Sequence, residues 1–296
     1  MSEAFTVEVP ASSANLGPGF DAIGLALDLW VRAEVRPAQT FSIAFVPGRH
    51  APTNPGFAGE IERGIDRVLG GPRPPVSILV DNAIPLGKGL GASAAGAVLG
   101  LSVGARFAAL APGDRALAQY ATDLEGHPDN ALPALLGGIV VAAQRVDAPP
   151  AYLRFAPPPG VAAVVVTPRI VLPTAAARAL LPAAYERRDV VFNLQRAALL
   201  AASLASGNLS ELRTASGDRV HQPYRAPLVP GFEAMLALDD PDLLAVALSG
   251  AGPSVLALVG GDGERIGALL QAEFAREGID SDVYRLAIST RGATTG

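Results

Sequence analysis

The chain has 296 residues, half of which are hydrophobic, and a formal net charge of −5. This length is enough for one large domain or two ordinary ones, with a core that needs no disulfide or metal. The acidic balance argues against a nucleic-acid-binding protein, and the absence of cysteine excludes disulfides and thiolate zinc sites.

The beginning of the sequence shows no targeting signal. The segment MSEAFTVEVP lacks the basic region and the apolar core of a signal peptide. The uncharged run 89–105 consists mostly of small residues and is shorter than the ~20 residues that a membrane span needs. We therefore expect a cytoplasmic protein without a membrane partner.

In chain order, the first half predicts strands and helices in mixed succession. Segments rich in β-branched and aromatic residues predict strands at 5–9, 30–36, 41–46 and 76–81. An apolar run predicts a further, buried strand at 138–143. Apolar residues at helical spacing predict helices at 56–69, 93–110 and 114–124.

Residues 148–160 contain five prolines and are the best candidate for a domain boundary. Beyond them the sequence predicts strands at 161–167, 254–259 and 282–287, and helices at 173–181, 190–206 and 264–277. Because strands and helices do not alternate steadily, the pattern favours two α+β halves over a doubly wound sheet. We expect two domains, residues 1–156 and 157–296.

The segment PLGKGLGASAAG, residues 85–96, places four glycines and the only lysine, Lys88, directly before a predicted helix. It contains a weak match to the G-x-G-x-x-A dinucleotide pattern, without the acidic residue that ribose needs, and Lys88 stands in the wrong place for a Walker A loop. Two further interpretations are a glycine-rich turn capped by Ser93, and a loop whose N–H groups bind phosphate at the positive end of a helix.

A second dense segment is LEGHPDNALPALLGG, which places Glu125, His127, Asp129 and Asn130 within residues 125–130. The proline at 128 predicts that a short helix begins there, with these side chains at its N-terminus. The segment is either an ordinary helix cap beside a solvated histidine or a site for a small polar ligand.

The glycine loop resembles the P-x-x-x-G-L-G-S-S-A-A signature of the GHMP kinases, which include galactokinases, homoserine kinases, mevalonate kinases and phosphomevalonate kinases. It departs from the signature at Ala92, where the family has serine, and keeps the second serine as Ser93. Residues 248–258, LSGAGPSVLAL, are similar to the third glycine loop of the family, and residues 9–27 stand where its first motif belongs. The resemblance implies a two-domain α+β fold, with a ribosomal protein S5 domain 2-like N-terminal half and a ferredoxin-like C-terminal half.

The first motif separates the members of this superfamily. Mevalonate kinases and galactokinases carry a basic residue there, whereas this chain has no lysine or arginine before Trp30. The segments SSANLGPGFD, LEGHPDNALPALLGG, LPTAAARALLP and HQPYRAPLVPGF instead resemble the homoserine kinase family. This resemblance covers about residues 5–260.

The resemblance implies that ATP and Mg²⁺ bind at the glycine loop, beside an amino-acid alcohol. The residues implied to bind ATP are Pro85, Gly87, Lys88, Gly89, Leu90, Gly91, Ala92, Ser93, Ala94 and Ala95. Those implied to bind the acceptor are Asn15, Asp21, His127, Asp129, Asn130, Thr174, Arg178, Arg225, Gly250 and Gly252. Ser93 and Glu125 are the implied Mg²⁺ ligands, and the two arginines suit the acceptor's carboxylate.

The catalytic candidates are His127, Asp129 and Asn130. The resemblance implies that Asn130 positions the reacting hydroxyl group. The general base is His127, or Asp129, or absent, because a loose phosphoryl-transfer transition state needs little deprotonation of the attacking hydroxyl.

The implied reaction is the ATP-dependent phosphorylation of L-homoserine to O-phospho-L-homoserine, a step of threonine biosynthesis. Two alternatives stay open: another GHMP kinase of the mevalonate or sugar type, and a non-catalytic ligand sensor on the same scaffold. The resemblance also implies a homodimer, and the acidic net charge predicts no nucleic-acid partner.

Overall fold

The computed structural model describes residues 3–48, 50–52, 55–110, 115–172 and 174–296, with only the backbone described at 174 and 175. Within this part of the chain the strands form two separate sheets, one of seven strands and one of four. Among the described helices, none combines the length and the apolar character that a membrane span requires.

The seven-stranded sheet belongs mainly to the first half of the chain. Its strands are β1 (Phe5–Ala14), β2 (Ile23–Pro37), β3 (Ser42–Phe45), β4 (Val76–Asn82), β5 (Ile139–Arg145), β6 (Ala148–Phe155) and β11 (Thr294–Thr295). The long strand β2 is central, because it pairs antiparallel with β1, β4 and β5. The C-terminal strand β11 returns to this sheet and pairs with β1.

Four helices pack beside this sheet: α1 (Gly56–Leu69), α2 (Ala92–Ala108), α3 (Arg115–Glu125) and α4 (Pro128–Leu136). The middle of α2 is buried on all sides, which its small uncharged residues permit. The approach of α1 and α2 depends on two glycines, since a Cβ at Gly100 would lie 2.0 Å from the carbonyl oxygen of Ile61, and one at Gly64 would lie 2.3 Å from that of Ala97. This packing fixes the N-terminus of α2 beside the strands.

The four-stranded sheet belongs to the second half. Its strands are β7 (Ala162–Pro168), β8 (Leu243–Leu248), β9 (Val255–Val259) and β10 (Ser281–Leu286), paired antiparallel in the order β10-β7-β9-β8. Its helices are α5 (Thr174–Ala179), α6 (Arg187–Ser206), α7 (Leu212–Ala215), α8 (Gln222–Arg225), α9 (Phe232–Ala237) and α10 (Gly263–Arg276). Helical crossovers before and after the β8–β9 hairpin make this half ferredoxin-like, which confirms the fold expected from the sequence.

Several predicted elements differ from the structure at instructive places. The helix predicted at 56–69 is confirmed at both ends, and it ends where Gly70 adopts a left-handed φ of 60°. The proline-rich stretch 148–160 is not a linker throughout, because residues 148–155 form β6. Prolines are tolerated there because β6 lies at an edge of the sheet and pairs only with β5. The helix predicted at 114–124 begins at a position outside the described residues.

Candidate active site

One pocket lies where the glycine loop, the N-termini of α2 and α4, and both sheets meet. The residues that line it are Ala14, Asn15, Asp21, Gly87, Lys88, Gly89, Gly91, Ala92, Ser93, Glu125, His127, Asp129, Asn130, Arg178, Arg225, Gly250 and Ala251. Most of the site residues predicted from the sequence are therefore brought together, although they come from segments more than 200 residues apart.

A few predicted residues do not line this pocket. They are Pro85, Leu90, Ala94, Ala95 and Gly252. Leu90, Ala94 and Ala95 are at most 1% exposed, so their side chains pack inside the protein and only their backbone could face a ligand. Pro85 lines a neighbouring cavity. The backbone of Thr174 begins α5, and its side chain lies outside the described part of the chain.

The glycine loop reaches the helix through three residues with left-handed backbone. Gly87, Gly89 and Gly91 have φ angles of 66°, 78° and 65°. A Cβ at Gly89 would lie 2.1 Å from the carbonyl oxygen of Ser249, so both conformation and space require glycine there. Gly91 is the N-cap of α2 and provides no side-chain hydrogen bond. The N–H groups of the first helical turn therefore have no intrahelical or capping partner and are available to an anion.

Serine hydroxyl groups connect this loop with two other motifs. Ser249 Oγ donates to the carbonyl oxygen of Gly89 at 2.6 Å, so Ser13, 2.8 Å away, donates to Ser249. Ser12 Oγ donates to Oδ1 of Asn130 at 3.0 Å, which leaves the Nδ2 group of Asn130 as a donor. These serines stand inside the first and third motifs but are not among the site residues predicted from the sequence.

Ser93 and Glu125 form an oxygen-rich corner at the start of α2. Ser93 Oγ donates to Oε1 of Glu125 at 2.8 Å. Burial raises the pKa of Glu125, and the hydrogen bond from Ser93 acts in the opposite direction. A hydroxyl and a carboxylate oxygen at this separation are the ligand types that Mg²⁺ prefers, so this corner fits the predicted metal.

Acidic groups also converge around His127 in this pocket. Nδ1 of His127 lies 2.5 Å from Oδ1 of Asp129, and one ligating atom from each of Asp21, His127 and Asp129 lies within 4.8 Å of the other two. Burial alone would lower the pKa of His127, but the hydrogen bond and charge of Asp129, with further acidic neighbours, outweigh it and raise the pKa. The pocket wall is therefore electronegative here and suits a cationic group.

Asn15 holds Asp21 in place rather than facing the pocket with a free amide. Its Nδ2 donates to the carbonyl oxygen of Gly250 at 2.8 Å, and its Oδ1 accepts the backbone N–H of Asp21 at 3.0 Å. Asn15 and Asp21 both have positive φ, 72° and 54°, in the loop that follows β1. The amide of Asn15 thus joins the first motif to the β8–β9 turn.

The two predicted arginines have different surroundings. Arg178 forms a bidentate ion pair with Asp21, with N···O distances of 3.1 and 2.8 Å, which raises its pKa. Arg225 is 2% exposed, and no carboxylate of the described residues lies within ion-pair distance of it. Burial and the nearby positive charge of Arg178 lower the pKa of Arg225. A buried guanidinium without a carboxylate partner beside a pocket is a site for an external anion.

Lys88 does not point its ammonium group at the helix N-terminus. Its Nζ donates to the carbonyl oxygens of Pro168, at 3.0 Å, and Ile170. Burial lowers its pKa, with Asp282 opposing. Lys88 therefore ties the glycine loop to the end of β7.

Comparison with known proteins agrees with this geometry. The model of the GHMP kinase N-terminal domain matches residues 58–138, and that of the C-terminal domain matches residues 199–276. The homoserine kinase of Solibacter usitatus is 41% identical over 97% of this chain and 96% of its own length, and that of Moorella thermoacetica is 40% identical over 97% and 98%.

Solved structures give the same result. The crystal structure of homoserine kinase from Cytophaga hutchinsonii covers 100% of this chain and 98% of its own with a TM-score of 0.85 at 26% identity. The mevalonate kinase of Methanococcus jannaschii, at 14% identity and a TM-score of 0.68, shares the fold. The chain therefore belongs to the GHMP kinase family.

Proposed function

We propose that the protein transfers the γ-phosphoryl group of ATP to the hydroxyl group of L-homoserine, forming ADP and O-phospho-L-homoserine for threonine biosynthesis. The observation that carries the proposal is that one pocket contains both the buried Arg225, which has no carboxylate of the described residues within ion-pair distance, and the acidic cluster of Asp21 and Asp129. Such a pocket offers a partner to each charge of an amino acid. The homoserine kinases that share about 40% of the sequence support this acceptor.

The phosphate groups bind where donors converge. In the proposal, the N–H groups of Gly87, Gly89 and Gly91 and of the first turn of α2 hold the triphosphate. Phosphoryl transfer depends mainly on in-line placement and charge neutralisation, both of which fixed N–H groups provide without reorganising.

The metal belongs at the corner of Ser93 and Glu125. Mg²⁺ held there would supply neutralisation of the phosphate charge during the transfer. The protein's part is to supply the hydroxyl oxygen of Ser93 and the carboxylate of Glu125, which the end of α3 brings to the start of α2.

The acceptor binds in the same pocket, beside this corner. Arg225 binds its carboxylate, Asp21 and Asp129 bind its ammonium group, and the Nδ2 group of Asn130 donates to its hydroxyl oxygen. That oxygen forms a bond to the γ-phosphorus as the bond to the leaving ADP oxygen breaks, and its proton passes to the phosphoryl oxygens or to water. We propose no dedicated base, because the raised pKa of His127 means that more of this imidazole is already protonated at neutral pH, and a protonated ring cannot take the proton of the hydroxyl group.

The proposal is tested with labelled ATP and a panel of acceptors matched by charge. We expect turnover of L-homoserine, and far weaker turnover of 4-hydroxybutanoate, which lacks the ammonium group, and of 3-aminopropan-1-ol, which lacks the carboxylate. Turnover of mevalonate or a sugar without turnover of homoserine would show a different kinase. Nucleotide binding without turnover of any acceptor would show a sensor.

Glu125→Gln tests the metal corner. The substitution keeps the shape of the side chain but removes the negative charge, so the Mg²⁺ concentration for half-maximal activity rises by about tenfold or more, a change of ~1.4 kcal/mol. Titration of activity with Mg²⁺ at fixed ATP measures this change. Glu62→Gln is the control, since Glu62 lies on the outer surface of α1 and pairs with Arg73. An unchanged Mg²⁺ dependence in Glu125→Gln would contradict the assignment.

The domain boundary, the assembly and the location complete the proposal. The proposed boundary between residues 156 and 157 falls in the segment that separates β6, which ends at Phe155, from β7, which begins the second sheet at Ala162, although the C-terminal strand β11 returns to the first sheet. The protein is a homodimer in the cytoplasm, where ATP is available. The exposed apolar side chains of Val190, Val191 and Leu194 on α6 support self-association, and light scattering tests it.

A further inference from the structure

A buried histidine next to the pocket has no part in the proposed reaction. His221 is 0% exposed and is the N-cap residue of α8, four positions before Arg225. The carboxylate of Asp218 accepts the backbone N–H groups of Val220, His221 and Gln222 at 2.9, 3.0 and 2.6 Å. These bonds fix the backbone from which the imidazole projects.

The partners of the imidazole determine its protonation. Nε2 lies 2.7 Å from the carbonyl oxygen of Gly17, and Nδ1 lies 3.1 Å from Nη1 of Arg225. A carbonyl oxygen only accepts and a guanidinium only donates, so Nε2 carries the hydrogen and Nδ1 carries a lone pair. The ring is thus neutral and in a single tautomer.

The charged groups around the ring favour the same state. Burial lowers the pKa of His221, and the positive charge of Arg225 adds to this effect. Asp218, whose Oδ2 lies 3.5 Å from Nε2, and the more distant Asp21 act in the opposite direction. A second proton on Nδ1 would face the guanidinium of Arg225 and remove the hydrogen bond between them.

The plane of the ring is held by Phe20. The two rings are stacked, with centroids 5.1 Å apart and planes 23° apart. The same phenyl ring lies 5.4 Å from Cζ of Arg225 and 5.6 Å from Cζ of Arg178. Phe20 therefore lies close to both guanidinium groups and supports the imidazole that contacts one of them.

The bond from Arg225 to His221 is the shortest that its guanidinium makes within the described residues. The other two, from Nε to the carbonyl oxygen of Ala177 and from Nη1 to that of Gly250, are both 3.4 Å long. Nη2 has no partner in the described part of the chain. The lone pair of His221 thus holds the guanidinium at Nη1, and Nη2 is left to a ligand.

We propose that His221 is a positioning residue for the acceptor: through Nδ1 it orients Arg225 so that the free side of the guanidinium meets the substrate carboxylate. This inference rests on the proposed function, in which Arg225 binds that carboxylate. It predicts that the acceptor interaction depends on an acceptor atom at the position of Nδ1, and that the ATP interaction does not.

Two isosteric variants test the two ring nitrogens, Nδ1 and Nε2, separately. His221→Asn places an amide oxygen where Nδ1 stands, and so keeps an acceptor for Arg225. His221→Gln places an amide nitrogen where Nε2 stands, and so keeps the donor to Gly17 but not that acceptor. We expect His221→Gln to raise the KM for homoserine roughly tenfold, the effect of one lost charge-assisted hydrogen bond, with kcat and the KM for ATP near those of the wild type.

His221→Asn is expected to raise the KM for homoserine by less than about threefold, since it keeps an acceptor for the hydrogen bond from Arg225. His221→Gln should add nothing further in an Arg225→Ala background, because the two residues act as one unit. Equal effects of the two variants, a matching rise in the KM for ATP, or additivity with Arg225→Ala would overturn the inference. Absence of homoserine turnover by the wild type would instead overturn the proposed function, and is measured first.

Nitrogen-15 NMR of the imidazoles gives a readout that needs neither substrate nor a folded His221 variant. The chain has three histidines, so their signals are few. We expect one neutral ring with the hydrogen on Nε2 throughout pH 6–8, whose Nδ1 signal moves in Arg225→Ala. The inference would be overturned if all three rings titrated between pH 6 and 8, or if the Nδ1 signal were unchanged in Arg225→Ala.

Discussion

Arg225→Ala raises the KM for homoserine by roughly 10- to 100-fold, the effect of losing about 1.5–3 kcal/mol of charge-assisted hydrogen bonding. The loss is large because Arg225 is buried, lines the pocket and has no carboxylate of the described residues within ion-pair distance. The KM for ATP changes little, because the hydrogen bonds of Arg225 within the described residues go to Ala177, His221 and Gly250 and none goes to the phosphate loop. Steady-state kinetics with each substrate varied at saturation of the other measure both constants.

Arg188→Ala is the matched control for this experiment. Arg188 lies in the same half of the chain, its side chain is 75% exposed, and it pairs only with the exposed Glu186 among the described residues. Its removal should leave both constants unchanged. An equal rise of both KM values in Arg225→Ala would mean that the substitution damages the whole pocket, and would contradict a specific role in binding the acceptor carboxylate.

Gly89→Ala lowers kcat/KM for ATP by roughly 100-fold or more, because left-handed strain of ~1–2 kcal/mol and overpacking of ~1–3 kcal/mol add up. The new Cβ would lie 2.1 Å from the carbonyl oxygen of Ser249 and 2.9 Å from that of Gly252. Both are backbone atoms and cannot rotate away. Either the glycine loop or the β8–β9 turn must move, and the N–H groups that converge on the phosphates move with them.

Gly70→Ala isolates the conformational part of this effect. Gly70 also has positive φ, 60°, but a Cβ there would meet nothing within 4 Å, and the residue ends α1 outside the pocket lining. This variant should lose about 1 kcal/mol of stability and keep its activity. Thermal unfolding checks that Gly89→Ala is folded at the assay temperature. Equal kcat/KM values for the two variants would contradict the role of close packing at Gly89.

Local sequence patterns predicted those elements whose apolar residues recur at the spacing of the buried face. The helix at 56–69 has a clear apolar face and a glycine stop, and its bounds were predicted correctly. Strand β8 was missed, since five of its six residues are buried and a continuous apolar run carries no strand periodicity. The prolines of residues 148–155 predict a domain boundary rather than a strand, because only an edge position in the sheet makes prolines acceptable in β6.

The site residues could be nominated from motifs, but their individual partners could not. Nothing in the motif around Asn15 indicates that its amide is occupied at both ends, by Gly250 and by the backbone of Asp21. Likewise, Lys88 stands within the phosphate loop in sequence, yet its ammonium group binds carbonyl oxygens at the end of β7. The roles assigned to single residues stay predictions until the variants above are measured.

The sequence by itself determined the family, the two-domain α+β architecture and the glycine loop ahead of a buried helix, because these depend on short-range spacing and on residue types that only certain backbones accept. The tertiary structure alone decided which groups face one another: Ser249 against Gly89, Arg178 against Asp21, and His221 between Gly17 and Arg225. Contacts of this kind join segments up to about 200 residues apart. Their geometry depends on how two separately formed sheets pack, and spacing along the chain does not encode that packing.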